Sequence, residues 1–219
     1  MTDFAVVFDM DGTLIDNTPY HFKSWQAMFK KYNLGDLDID TYHKEMSGRP
    51  VIDTIRRLFG ADHDEAQLQT LFREKEAIYR ELYLPFVAPI NGLENFLADL
   101  QNHGVRMAIA SSASVEDIDF ILSNVAIRQY FEVVIDGSRV SKGKPDPQIF
   151  LKAASDLQTP PEHCVVFEDS IAGIKAGNAA GMKVVGITTG NPPEKLQPSS
   201  LVIDDYSGMS FDKLEKMFA

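Results

Sequence analysis

Asp9 and Asp11 stand two residues apart in Phe4-Ala5-Val6-Val7-Phe8-Asp9-Met10-Asp11-Gly12-Thr13, where an apolar run gives way to a polar turn. Far along the chain a second apolar run, Cys164-Val165-Val166-Phe167, ends in Glu168-Asp169. If these runs are neighbouring parallel strands, four carboxylates converge at one edge of a sheet. Crowded acids are costly to keep ionised, so the cluster calls for a cation, and Mg2+ suits an all-oxygen set. Asp9 is then placed as a nucleophile that takes up a phosphoryl group. Asp11 is free to act as general acid and base, and Glu168 and Asp169 supply metal ligands. By itself Asp-x-Asp-Gly could be a capping pair in a turn. The second acidic strand end argues against that reading.

Two further places offer anion donors. Ser111-Ser112 follows Met107-Ala108-Ile109-Ala110 directly and precedes a helical pattern. Hydroxyls and backbone N–H groups there can meet a phosphate, although the pair could equally cap the helix. Lys144 lies in Lys144-Pro145-Asp146-Pro147. Pro145 restrains its backbone, and Pro147 suits the first turn of a following helix. A lysine so held can neutralise a phosphoryl group and damp its repulsion by Asp9. Lys142, two residues earlier, lacks that anchor.

The elements that must position these groups follow from periodicity. Residues 4–8 read as a buried strand. Residues 12–19 read as a turn-rich exit, with Gly12, Asn17 and Pro19. From about residue 20 to 84 the patterns are helical: one around Phe22, Trp25 and Phe29, one around Ile52, Ile55 and Phe59, and a long one from Asp64 to about Tyr83. After Pro85, Pro89 and Gly92, helix and strand alternate to the end. Strands are expected at 106–110, 131–135, 164–167, 183–187 and 201–203, with helices between. The predicted fold is therefore α/β: a Rossmann-like parallel-sheet core covered by helices on both faces, with an all-helical insertion. Residues 1–15 and 86–219 would form the core and 16–85 the insertion. Ligands in such folds bind beyond the carboxyl ends of the strands, where each polar cluster above falls.

Composition narrows the classes. The 219 residues carry a formal charge of -11 and show no basic stripe, which argues against a nucleic-acid partner. No apolar run is long enough to span a bilayer and no secretory signal is visible, so a cytoplasmic protein without a membrane partner is expected. The single cysteine, Cys164, sits in an apolar run as a core residue. A monomer is expected, because the pocket needs only one chain.

The order Asp-x-Asp-Gly-Thr, Ser, Lys-Pro-x-Pro, Glu-Asp-Ser resembles the haloacid dehalogenase-like superfamily of phosphotransferases over essentially the whole chain. The stretch from Phe167 to Met182, Glu168-Asp169-Ser170-Ile171-Ala172-Gly173-Ile174-Lys175-Ala176-Gly177 within it, is similar to the branch with beta-phosphoglucomutase and small sugar-phosphate phosphatases. The resemblance implies a helical cap, Mg2+ and an aspartyl-phosphate intermediate. It implies Asp9 as nucleophile, Asp11 as acid and base, and Ser111 and Lys144 on the phosphoryl group. Asp9, Glu168, Asp169 and the Asp11 carbonyl would serve the metal. Dehalogenation is not implied, because those relatives lack an acid at the position of Asp11.

Phosphatase and mutase differ in what takes the phosphoryl group from Asp9, water or a sugar hydroxyl, and the cap decides between them. His21 resembles the mutase histidine that couples cap closure to the general acid. Ser47, before Gly48, stands where the mutase carries a lysine. Arg49 could reach an anionic substrate, its fork suiting phosphate. Lys75 corresponds either to a second cap lysine of the mutase or to an exposed helix charge. Trp25 and Phe29 read as core. The expectation is a phosphatase of a small phosphorylated metabolite, a sugar phosphate, with a hexose-phosphate mutase as the main rival. An inorganic pyrophosphatase and a non-catalytic phospho-acceptor module are further alternatives.

Overall fold

The computed structural model describes residues 4–47 and 50–218. The chain divides into two compact units, one made of Met1–Asp16 with Val87–Ala219 and the other of Asn17–Phe86.

The first unit is built on a six-stranded sheet among the described residues. Its strands are β1 (Ala5–Phe8), β2 (Arg106–Ala110), β3 (Val133–Ile135), β4 (Cys164–Glu168), β5 (Lys183–Ile187) and β6 (Leu201–Ile203). All neighbours run parallel, in the order β3-β2-β1-β4-β5-β6. The order reverses between β1 and β4, which opens a crevice at their carboxyl ends. The register pairs Phe8 with Phe167, and the Asp9 N–H donates to the Phe167 carbonyl at 3.0 Å. Asp9 and Glu168 therefore leave the sheet side by side.

Buried strands with both faces covered need apolar residues at every position, as Ala5-Val6-Val7-Phe8 and Cys164-Val165-Val166-Phe167 provide. One face packs Ala5, Val7, Ala108 and Val166 against Phe150 of α7 (Gln148–Asp156) and Ile174 of α8 (Ile171–Ala179), and Cys164 lies in that core. On the other face the Phe8 ring meets Phe96 of α5 (Leu93–Asn102) at 6.4 Å and stacks on Phe167 at 4.9 Å. Tyr206 stacks on Phe96 in the same cluster at 5.6 Å. Helix α6 (Val115–Asn124) follows β2, and α9 (Phe211–Glu215) closes the chain.

The second unit is helical: α1 (Thr18–Lys31), α2 (Ile39–Glu45), α3 (Val51–Phe59) and α4 (Glu65–Tyr83). Trp25, Met28, Phe29, Ile55, Phe59, Leu68 and Leu71 form its core, so Trp25 and Phe29 pack as periodicity predicts. Asp64 caps α4 in a reciprocal box with Gln67. Two details differ from the sequence reading. Helix α1 begins at Thr18 and carries Pro19 in its first turn, where a missing N–H costs nothing. Helix α2 is not among the predicted helices, because seven residues are too short to show a helical period. Among the described residues no helix is long and apolar enough to cross a membrane.

Candidate active site

The end of β1 delivers Asp9 and the end of β4 delivers Glu168 and Asp169. All three side chains are buried, and one ligand oxygen from each lies within 4.8 Å of the others. The Asp11 carboxylate is not in this trio. Strand β1 stops at Phe8, and the chain turns through Gly12 at φ 74°, so the side-to-side alternation of a strand does not reach Asp11. Asp11 is nonetheless close enough to raise the pKa values of both Asp9 and Asp169. The four-fold convergence expected from spacing is thus three buried acids with a fourth nearby.

Lys144 joins the cluster from the loop between β3 and α7. Its ammonium donates to Asp9 Oδ1 at 2.5 Å and to Glu168 Oε1 at 2.6 Å, and lies 4.9 Å from the centre of the Phe150 ring. The loop is pinned by Gln148, whose side-chain carbonyl accepts the Ser141 and Lys142 N–H groups at 2.9 and 3.0 Å. Lys142 points elsewhere: it is exposed and pairs with Asp146 at 3.7 Å.

The electrostatics are those of a site built for more positive charge than the chain supplies. Burial is the main cause that pushes the Asp9 carboxyl up to about 7, with Lys144 pulling down and Glu168 and Asp11 pushing further up. Asp169 is held well above the usual carboxylate range, first by burial and then by Glu168 and Asp9. Asp9 and Glu168 hold Lys144 firmly protonated against its own burial. A hard divalent cation fits this donor set, which is all oxygen, anionic and short of countercharge.

Ser111 is fully buried at the end of β2. Its N–H donates to the Ile135 carbonyl at 2.9 Å, and its Oγ accepts the Ala113 N–H at 3.0 Å, leaving the hydroxyl proton to donate. The cap of α6 is Ser114, which accepts the Asp117 N–H at 3.2 Å. Capping therefore does not account for Ser111 or for Ser112, which is exposed.

In the helical unit, His21 and Lys75 meet. The Lys75 ammonium donates to His21 Nδ1 at 2.8 Å, and the Asn17 side-chain amide nitrogen lies 3.3 Å from Nε2. His21 stacks on Tyr79 at 4.0 Å. Lys75 has no exposed side-chain surface, so the exposed-charge reading of this lysine is overturned. It pairs with Glu76 at 3.2 Å and lies near the faces of Trp25 and Tyr79 at 5.7 and 5.4 Å. Burial and the Lys75 charge hold the His21 pKa well below its ordinary value. Arg49 lies outside the described residues.

Sequence reasoning finds Gly12 only as a turn residue and misses the room that three glycines leave for the acids. A Cβ on Gly173 would fall on the Glu168 carboxylate, and one on Gly12 or Gly190 on that of Asp169. It missed Tyr206, whose hydroxyl donates to the Thr13 carbonyl at 3.0 Å. It also missed Thr188-Thr189-Gly190-Asn191, although this polar, glycine-bearing turn at the end of β5 carries the same strand-end signal as Glu168-Asp169.

Comparison with known proteins gives concordant matches. A sequence model for haloacid dehalogenase-like hydrolases matches residues 6–187. Beta-phosphoglucomutase of Bacillus subtilis is 31% identical over 217 residues, covering 97% of this chain and 94% of that protein. Fructose-1-phosphate phosphatase YqaB of Escherichia coli is 32% identical over 186 residues, covering 84% and 95%. The crystal structure of a family IA, variant 3 hydrolase from Entamoeba histolytica superposes with a TM-score of 0.89 at 27% identity, covering 98% of each chain.

Proposed function

We propose that this chain, which belongs to the haloacid dehalogenase-like hydrolase family, is a Mg2+-dependent phosphatase that releases phosphate from a small sugar phosphate through an aspartyl phosphate on Asp9. Family membership makes it a phosphoryl-transfer enzyme of the phosphoric monoester hydrolase or phosphotransferase type. The observation that carries the finer reading is the contact of the buried Asp9 carboxylate with Lys144 at 2.5 Å, inside a trio of acids suited to a cation.

In this reading Asp9 attacks phosphorus. The new Asp9 O–P bond forms as the P–O bond to the sugar breaks, and Asp11 gives its proton to the departing oxygen. Asp11 then takes a proton from water, which attacks phosphorus and frees Asp9. Lys144, Ser111 and Ser112 hold the phosphoryl oxygens and oppose their repulsion by the carboxylates. Asp9, Glu168, Asp169 and the Asp11 carbonyl would hold Mg2+, which when bound neutralises charge gathering on the phosphoryl group. Asp9 must be ionised to attack, and Lys144 already pulls its pKa down against burial.

The helical unit is proposed as a cap that reads the sugar. His21 and Arg49 are the proposed substrate-binding residues, with Lys75 acting through His21. The Escherichia coli relative, named for fructose-1-phosphate, and Ser47 in place of the mutase lysine favour water as the acceptor. A mutase reading draws on the Lys75–His21 contact and on the Bacillus subtilis relative.

A panel of sugar monophosphates with Mg2+ tests the proposal. Expected are stoichiometric phosphate release, loss of turnover on chelation, and no turnover by Asp9→Asn. Interconversion of 1- and 6-phosphates primed by a bisphosphate, without net phosphate release, would replace the phosphatase with the mutase.

A further inference from the structure

Asp169 sits in a pocket shaped by a segment with no role in the chemistry above. Strand β5 ends at Ile187, and the next four residues are Thr188-Thr189-Gly190-Asn191. The Thr189 hydroxyl donates a hydrogen bond to the Gly12 carbonyl. The Asn191 side-chain amide donates to the Asp169 carbonyl at 3.0 Å. Between them, Gly190 lies so close that a Cβ there would clash with Asp169 Oδ2 at 2.0 Å, and a Cβ on Gly12 would clash with the same oxygen at 2.3 Å. The loop is anchored on its far side as well. The Thr188 N–H donates to the Ile203 carbonyl at 3.0 Å, and its hydroxyl to Asp204 at 2.7 Å.

We infer that Thr189, Gly190 and Asn191 are positioning residues that fix the orientation of the Asp169 carboxylate and thereby set how tightly the site holds a divalent cation. The inference rests on the reading of Asp169 as a metal ligand. Hydrogen bonds alone would describe any loop closure. The steric observation goes further, because two glycines from different loops flank one carboxylate oxygen, and the donors beside them tie both loops together. Thr189 holds the Gly12 backbone, Asn191 holds the Asp169 backbone, and the missing side chain of Gly190 leaves the carboxylate its place. Groups that orient a ligand in this way commonly govern affinity by about tenfold to a hundredfold.

Gly190 also permits a clean test. Gly12 adopts φ 74°, so an alanine there would add backbone strain to crowding, whereas Gly190 is not among the positive-φ glycines. Gly190→Ala therefore reports crowding of Asp169 alone. Thr189→Val removes one hydroxyl at nearly constant shape, and Thr189→Ser restores it.

The experiment is calorimetric titration of the chelator-stripped full chain with Mg2+, with metal-free melting temperatures recorded for every variant. Gly190→Ala and Thr189→Val are expected to bind Mg2+ about tenfold to a hundredfold more weakly than wild type. Thr189→Ser should stay close to wild type, and the Mg2+ concentration for half-maximal turnover should move by the same factors. If Gly190→Ala melts far below wild type, the Thr189→Val and Thr189→Ser pair decides. Wild-type affinity in Gly190→Ala and Thr189→Val, with binding lost in Asp169→Asn, overturns the inference and leaves the ligand assignment standing. Equal uptake by wild type and Asp169→Asn overturns both.

Discussion

The Lys144 ammonium lies 2.5 Å from Asp9 Oδ1 although the two residues are 135 positions apart in the chain. The same ammonium reaches Glu168 at 2.6 Å, so one cation holds two buried carboxylates that would otherwise repel. Lys144→Met keeps much of the apolar stem and removes the charge. Its turnover is expected to fall by about a hundredfold or more, as when a preorganised donor to a developing anion is lost. Without Mg2+ it should also lose about 3–5 kcal/mol of stability, the usual cost of breaking a buried pair. Denaturant unfolding with and without Mg2+ measures this. Equal stability of variant and wild type without metal would show that the pair does not offset its own burial.

The raised Asp9 pKa predicts a pH dependence of stability in the metal-free protein. Between the unfolded value near 3.8 and the folded value of about 7, folded Asp9 holds a proton that the unfolded chain releases. Its contribution is therefore full below about 4 and is lost as pH rises through about 7. His21, held neutral by burial, acts in the opposite sense in the acid range, since unfolding lets it bind a proton. Comparison with Asp9→Asn separates the two. The variant should gain on wild type, by an amount on the order of a few kcal/mol, between pH 5 and pH 7.5. Saturating Mg2+ should shrink the difference. Melting curves at both pH values, with chelator and with Mg2+, are the measurement, and a constant difference would contradict the assignment.

The part-buried contact between Lys75 and His21 makes a separate prediction. Lys75 is one of the causes that hold the imidazole pKa down. Lys75→Met should therefore let His21 protonate at a higher pH than in wild type, as read from the imidazole proton shifts by NMR. His21→Ala should slow turnover of sugar phosphates while sparing a small generic ester. Equal losses on both substrate types would dissociate His21 from substrate reading.

Tyr206 ties the segment after β6 to the nucleophile loop through its bond to the Thr13 carbonyl, 3.0 Å long and buried. Tyr206→Phe removes that hydroxyl and leaves the ring stack on Phe96 in place. The expected cost is about 1 kcal/mol, or a fall of about 2–4 °C in Tm for a chain of this size. An unchanged Tm would mean that the Thr13 carbonyl finds another donor.

Much of this architecture is legible in the residues themselves. Strand β5 and helix α5 can be read to their ends, because short β-branched runs and a clear helical period are local signals. Strand β3 is shorter than expected, starting at Val133 rather than Phe131, because the Phe131 N–H closes the preceding turn onto the Arg128 carbonyl at 3.2 Å instead of joining the ladder. The acids at the ends of β1 and β4 are equally visible, since each follows a buried apolar run directly.

Sequence alone, then, determined the elements other than α2 and most of the acidic, hydroxyl and amino groups that end them, because both depend on neighbours a few positions away. Only the tertiary structure decided that β1 lies beside β4, bringing Asp9 against Glu168, and that Lys144 lies between them rather than in solvent. It also decided that Lys75 is interior and that Gly190 yields its side-chain space to Asp169. These are contacts between segments far apart in the chain. They follow from how the packed sheet and helices fill space, and no local pattern of residues encodes them.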